Sequence, residues 1–180
     1  MIRGATSALG LAAINLAVGA GAEVLAAARS EQQKDRLLGL GAKHVVLESA
    51  NLSQEIRKIH PQGVNVVLDL LGNSTFLDSM KMPHRGGRVC VAGFLGGGEP
   101  VPVSFIRDVA PGVHLSFLVS ILFGEAEYPM SAIPLQSIVK DVEAGRFDAA
   151  PARIIPFDEL PEAHVLMESN AAKGKIVVTI

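Results

Sequence analysis

The first thirty residues, MIRGATSALGLAAINLAVGAGAEVLAAARS (1–30), carry the pattern on which the fold turns. Met1 to Arg3 has the character of the tail of a short strand, and Gly4 to Ala8 that of a turn. The apolar stretch from there to about Val18 reads as a helix closed by Gly19, and Glu23 to Ala27 returns to strand. Strand, turn, helix and strand in this order form the opening of a βαβ unit. A secretory signal competes for the same residues, because Arg3 precedes an uncharged run from Gly4 to Ala22. It fits poorly. Gly4, Gly10, Gly19 and Gly21 punctuate the run, Asn15 interrupts it, and the β-like stretch that follows makes no sense as a mature N-terminus.

Within this unit the turn GATSALG (4–10) bears the chemistry. A helix N-terminus presents unpaired N–H groups and a partial positive charge, and small residues let a pyrophosphate approach both. A P-loop needs a lysine after its last glycine, and Leu9-Gly10-Leu11 offers none. A nucleophile elbow around Ser7 needs glycine at 5 and 9, where Ala5 and Leu9 stand. The dinucleotide fingerprint fits in a weakened form, with Ala5 and Ser7 replacing its first two glycines and Gly10 as the third. By itself the turn is equally compatible with a plain strand-to-helix connection. The end of the second strand adds to it. A site for NAD places Asp or Glu there to accept from the ribose 2′-OH. Here Ala27-Ala28-Arg29-Ser30 carries no acid, and Lys34 follows one turn into the helix, a set suited to a 2′-phosphate. NADP(H) is the expected cofactor.

Outward from this unit, β-like and helix-like segments alternate. Helix character over Glu31–Leu40 ends at Gly41, strand His44–Leu47 leads into helix Leu52–Ile59, and Pro61 and Gly63 stop it. Strand Asn65–Leu70, helix Ser74–Met82, a Gly86-Gly87 turn and strand Arg88–Ala92 follow; both strands are nearly continuous in apolar residues, which predicts burial on two faces. After a loop over 93–102 come strand His114–Val119 and helix Ile133–Ala144, with Pro134 in its first turn and Gly145 past its end. The economical assembly is an α/β, doubly wound (Rossmann) parallel sheet of six strands in the order 3-2-1-4-5-6, with helices on both faces. The rhythm then breaks. A strand over Arg153–Pro156, a helix from Pro161 to Ser169 and a last strand in KIVVTI form a strand–helix–strand tail, so the expected division is 1–150 and 151–180.

Composition narrows the function classes. Of 180 residues 49% are hydrophobic and 19% charged, far from the balance of a disordered chain. Sixteen Lys and Arg against 18 Asp and Glu leave a net charge of -2, without the basic excess that nucleic-acid binding draws on. Cys90 is the single cysteine, so neither an intramolecular disulfide nor a thiolate-rich metal centre is available, and an intracellular, cytoplasmic, metal-free protein is expected. The longest apolar run, Val113–Phe123, contains His114, Ser116 and Ser120 and falls short of the ~18 residues of a spanning helix.

Five segments, GATSALGLAA, AAARS, VNVVLDLLGN, GGRVCVAGFLGG and LPEAHVLMESNAAKGKIVV, occur in an order that resembles the medium-chain dehydrogenase/reductase superfamily, in particular its zinc-independent NADPH:quinone oxidoreductase branch. The resemblance runs from Met1 to Ile180. It implies that Thr6, Ser7, Ala8 and Leu9 line the pyrophosphate turn and that Arg29, Ser30 and Lys34 take the adenosine 2′-phosphate. It further implies that Leu71 and Gly72 border the adenosine ribose, that Gly93, Phe94 and Leu95 flank the nicotinamide ribose, and that Asn170 lies near the nicotinamide. Members of the superfamily are nearly twice as long. The part not matched here is a GroES-like domain that forms the substrate side of the cleft and, in zinc-containing members, carries the Cys and His zinc ligands. Met1 falls inside what would be the first nucleotide-binding strand. The five histidines, His44, His60, His84, His114 and His164, are scattered and read as surface or packing residues.

The implied chemistry is hydride transfer from the nicotinamide to a quinone or enone, with the cofactor carrying the reaction and the protein orienting it. No catalytic residue is assigned; Tyr128, the only tyrosine, lies in a loop segment. Without the other half of the cleft, the 180 residues are expected to turn over little. A non-catalytic NADP(H)-binding sensor or scaffold and an enoyl reductase segment of a larger synthase remain alternatives. The final strand of the sheet, 114–119, would expose unpaired backbone groups and is the expected seam of a homodimer.

Overall fold

In the computed structural model, which describes residues 1–169 and 171–180, eight strands and six α-helices alternate along the chain. The first six strands are β1 (Ile2–Arg3), β2 (Leu25–Ala28), β3 (His44–Leu47), β4 (Val64–Asp69), β5 (Pro83–Val91) and β6 (His114–Phe117). They form one parallel sheet in the order β3-β2-β1-β4-β5-β6, as expected. The helices between them are α1 (Ala8–Gly19), α2 (Lys34–Gly39), α3 (Leu52–Ile59) and α4 (Phe76–Ser79).

Two apolar clusters hold the layers. On one face, Leu25, Ala27, Val67, Val89 and Val91 pack against Leu52 and Ile56 of α3 and against Met80 and Met82. On the other, Ile2, Ala26 and Ala28 meet Ile14 of α1 and Leu37 of α2. The small side chains of β2 (LAAA) let helices approach the sheet closely on both sides, and all four are buried.

The expectation of two-sided burial fails for β4 and β5. Along β5 Val89 and Val91 are buried, but Arg88 is exposed and Cys90 half-buried; on β4 Val66 is exposed. The reason is coverage: α1 and α2 lie over β1 to β3, and no residue of α5 (Leu135–Glu143) is buried, so the second face beyond β1 stays partly open. Other boundaries differ for local reasons. The helix expected over 74–82 shrinks to the single turn of α4, because β5 begins at Pro83 and draws the chain into the sheet. The Gly86-Gly87 turn becomes an irregularity inside β5, where pairing jumps from Val64↔Pro83 to Val66↔Arg88. The helix over 31–40 opens with a 3-10 turn at Glu31–Gln33, and Pro134 precedes α5 instead of lying in its first turn. β6 stops at Phe117 with all four residues exposed.

The tail is separate from the sheet. β7 (Arg153–Pro156) and β8 (Ile176–Thr179), joined through α6 (Leu160–Glu168), pair in parallel as a two-stranded sheet of their own. Ile155 is buried, whereas Ile154, Phe157 and Val177 are exposed. Asp148, before β7, and Lys173, between α6 and β8, meet the first helices: the Asn15 amide of α1 donates to the Asp148 carbonyl at 2.8 Å and the Arg36 guanidinium of α2 to the Lys173 carbonyl at 2.7 Å.

Candidate cofactor site

In a parallel sheet every strand delivers its following loop to the same edge, and the order reverses on either side of β1, leaving a crevice between the loops of β1 and β4. The turn after β1, the end of β2, and the loops after β4 and β5 share this edge. It is where Thr6 to Leu9, Arg29 to Lys34, Leu71-Gly72 and Gly93 to Leu95 belong. Asn170 lies outside the described residues.

The turn after β1 is drawn tight by its own side chains. Ser7 caps α1: its hydroxyl donates to the Gly4 carbonyl at 2.9 Å and accepts from the Gly10 N–H at 3.1 Å. That internal use differs from a ligand role, and it leaves the N–H groups of Ala8 and Leu9, at the first positions of the helix, without intrahelical acceptors. Gly10 is required by contact, since a Cβ there would stand 2.6 Å from Ala5 Cα and from the Gly4 carbonyl oxygen. Thr6 and Ala8 are half-buried and Leu9 is exposed.

At the end of β2, Ala28 is buried and Arg29 and Ser30 are exposed. Lys34 is exposed too, with its ammonium 3.9 Å from Glu31 Oε2. Glu31 is thus beside one of the cations expected to meet a 2′-phosphate, and the E-Q-Q-K spacing (31–34) of one helical turn is the sequence signal for it.

The loop after β4 is set by Asp69, which is fully buried. Its Oδ1 accepts from the N–H groups of Leu71 (2.9 Å) and Gly72 (3.0 Å), and its Oδ2 accepts from the hydroxyls of Thr75 (2.9 Å) and Ser79 (2.6 Å). Gly72 takes φ +82°, and a Cβ on it would stand 2.5 Å from the Gly93 carbonyl oxygen. The loops after β4 and β5 are thus in backbone contact, and the Gly96 N–H donates to the Leu71 carbonyl at 2.8 Å. The arrangement places Leu71 and Gly72 beside Gly93, with Phe94 and Leu95 exposed beyond it.

Beneath these loops lies a feature the sequence reading missed. Arg3, considered there only as the charge of a signal segment, ends β1 with no exposed surface. Its guanidinium donates to both Glu48 carboxylate oxygens, to the Ser49 and Thr75 carbonyls, to Asp78 Oδ2 at 3.0 Å and to the Ser79 hydroxyl at 3.1 Å. Asp78 in turn accepts from the Ser53 hydroxyl (2.6 Å) and backbone N–H (3.1 Å). Ser79 joins this network to Asp69, so one hydrogen-bonded unit ties the loops after β1, β3 and β4 to the start of α3. A signal was present: an arginine in a strand otherwise apolar, with Glu48 after β3, Asp69 ending β4 and Asp78 in α4.

A cleft of about 330 Å³ adjoins the turn at Ala8 and extends away from the loop edge, between Leu11 and Asn15 of α1, Val142 of α5 and Phe147. No helix among the described residues is long and apolar enough to cross a membrane.

The strand order, the capped glycine turn and the loops gathered at one edge define a Rossmann-type dinucleotide-binding fold. Comparison with known proteins carries this to a family. The profile of the family described as zinc-binding dehydrogenase matches residues 8–136. Quinone oxidoreductase-like protein 2 of Rattus norvegicus is 36% identical over 187 residues, covering 100% of this chain and 52% of the relative. Its counterpart in Bos taurus is 26% identical with the same coverage. The crystal structure of Escherichia coli quinone oxidoreductase complexed with NADPH superposes on 99% of this chain and 56% of that one, with TM-score 0.80 at 21% identity. This chain belongs to the zinc-binding dehydrogenase family, within the medium-chain dehydrogenase/reductase superfamily that its motifs resemble. It spans about half the length of the curated relatives it matches.

Proposed function

We propose that this chain is the NADP(H)-binding part of a zinc-independent oxidoreductase that reduces a quinone or an enone. The observation that carries the cofactor choice is the end of β2, where Arg29, Ser30 and Lys34 stand exposed beside the glycine turn and no acid ends the strand. The residues fit a dinucleotide elsewhere as well. The N–H groups of Ala8 and Leu9 at the start of α1 would receive the pyrophosphate, and Thr6 and Ser7 shape its approach. Leu71 and Gly72, held by Asp69, would border one ribose, and the backbone of Gly93, Phe94 and Leu95 the other. When bound, the nicotinamide supplies the hydride. The protein's share is orientation: the Arg3–Asp69 network fixes the loops so that the ring is presented from one edge of the sheet. Tyr128 lies in a loop, 46% exposed, and receives no role.

Residues 1–150 make up the binding domain in this reading and 151–180 a tail that packs on the substrate half of the whole protein. Quinone or enone reduction is carried over from the named relatives and concerns that whole protein. The exposed edge strand β6 is the proposed seam of a two-fold dimer, with Leu115 and Phe117 facing outward. Light scattering that finds a strict monomer at micromolar concentration would count against the dimer. The cofactor proposal is tested by titrating the chain with NADPH and NADH side by side, following nicotinamide fluorescence. NADPH should bind tighter; equal affinities, or preference for NADH, would overturn it.

A further inference from the structure

At the end of the sheet opposite the glycine turn, three elements bring Glu23, His44 and His60 together. Glu23 lies just before β2, His44 opens β3, and His60 follows α3. His60 Nε2 is 2.9 Å from Glu23 Oε1, and His44 Nε2 is 3.9 Å from the same oxygen. The two rings stand edge to face with centroids 6.3 Å apart, and the three ligating atoms all lie within 4.8 Å of one another. Donors bound to one zinc at about 2.1 Å in tetrahedral geometry are separated by roughly 3.4 Å, a spacing the observed distances straddle. The Lys43 ammonium donates to the other carboxylate oxygen, Oε2, at 2.6 Å and so leaves Oε1 turned toward both imidazoles.

The sequence scatters these histidines and gives no sign of their meeting; the parallel register of β2 and β3 and the return of α3 create the cluster. A neutral His60 can donate its Nε2–H to Glu23 Oε1, and a metal taking the place of that proton would bring the His44 nitrogen, 3.9 Å from the same oxygen, into one coordination shell. Each side chain is about one-third exposed, at 34–37%, so an ion would reach the cluster from solvent without unfolding it.

We propose that Glu23, His44 and His60 form a binding site for a divalent transition metal, with Zn²⁺ the best-suited ion and a fourth position open to water. Two imidazoles and one carboxylate are a donor set that zinc accepts readily. The length of β2 separates the site from Arg29, so the ion takes no part in hydride transfer. It clasps the entry to β2, the start of β3 and the end of α3. The superfamily resemblance assigns zinc ligands to a domain outside these residues, which makes this a distinct site.

The test is calorimetric titration of Zn²⁺ into the chelator-stripped full chain, beside thermal unfolding with and without the metal. One Zn²⁺ per chain should bind, and Tm should rise by a few degrees at saturating metal. Co²⁺ in its place should show the visible absorption of a four-coordinate ion with nitrogen and oxygen donors. His44→Ala, His60→Ala and Glu23→Gln should each weaken binding by at least about tenfold. His164→Ala, on the exposed face of α6, should leave it unchanged. Far-UV circular dichroism of each variant separates a lost ligand from a lost fold. No saturable binding to the wild-type chain, or binding that survives both histidine substitutions in folded variants, would overturn the proposal. None of these readouts depends on the cofactor reading.

Discussion

The two ends of the candidate cofactor cleft are built on different principles. Around β1 and β4 the loops are fixed from below: Arg3 and Asp69 are both wholly buried, and between them they anchor backbone at Ser49, Leu71, Gly72 and Thr75. At the end of β2, by contrast, Arg29 and Ser30 stand in solvent, and Lys34 makes a loose ion pair with Glu31. The first end provides geometry and the second charge. A buried network is expensive to break and indifferent to which dinucleotide arrives, whereas exposed cations cost the fold nothing and distinguish a phosphate from a hydroxyl.

The sharpest way to break this contrast is Arg3→Met. It leaves Glu48 and Asp78, with side chains only 18% and 11% exposed, without the guanidinium that both of them contact. Removing one partner from a buried charged network costs about 3–5 kcal/mol. Urea unfolding should show that loss, and any variant that still folds should bind NADPH and NADH more weakly by the same factor. Arg3→Lys keeps the charge without the planar fork and should fall between. A loss below about 1 kcal/mol would mean that the network is not the anchor described.

Gly72→Ala probes the same end through the backbone. At φ +82° and with the Gly93 carbonyl oxygen 2.5 Å from the new methyl group, the loops after β4 and β5 must separate. Strain of this kind costs about 1–3 kcal/mol. Both cofactors should again be affected alike, as read by titration against the unchanged wild-type affinities.

These two ends were unequally legible in the sequence. Turn, strand end and helix start are neighbours along the chain, so the GATSALG turn and the acid-free AAARS end could be read from local chemistry, though not the cap that Ser7 places on α1. The strand order followed from alternation and the handedness of parallel crossovers. The network could not be read this way, because Arg3 meets Glu48 across 45 residues and Ser79 across 76. Periodicity reports which face of an element is apolar, and it is silent on which charges a sheet will gather at one point. The same limit hid the meeting of Glu23, His44 and His60. Two-sided burial of β4 and β5 fails for a related reason: an apolar strand invites a covering helix, but whether α5 reaches it depends on the path of the chain through β6 and the loops on either side of it, which composition does not determine.

At the charged end the expected effects are smaller and selective. Arg29→Ala should weaken NADPH binding by about tenfold to a hundredfold, the usual worth of a hydrogen bond to a charged group, and leave NADH within twofold or so. Stability should change by no more than about 0.5 kcal/mol, because the side chain is exposed. An equal loss for both cofactors would place Arg29 with the geometric end and erase the distinction.

Glu31→Gln gives the finest test. The Glu31 carboxylate lies 3.9 Å from the Lys34 ammonium and would repel an incoming 2′-phosphate while drawing the lysine away from it. Neutralising it should tighten NADPH binding by up to about fivefold, the scale of an exposed ion pair. Because both groups face water, the gain should shrink as salt is raised from low to physiological ionic strength. NADH offers no phosphate at that position and should bind as before. If NADH weakened instead while NADPH stayed constant, Glu31 would be accepting from the ribose hydroxyl, and the end of β2 would serve the dinucleotide that lacks the phosphate.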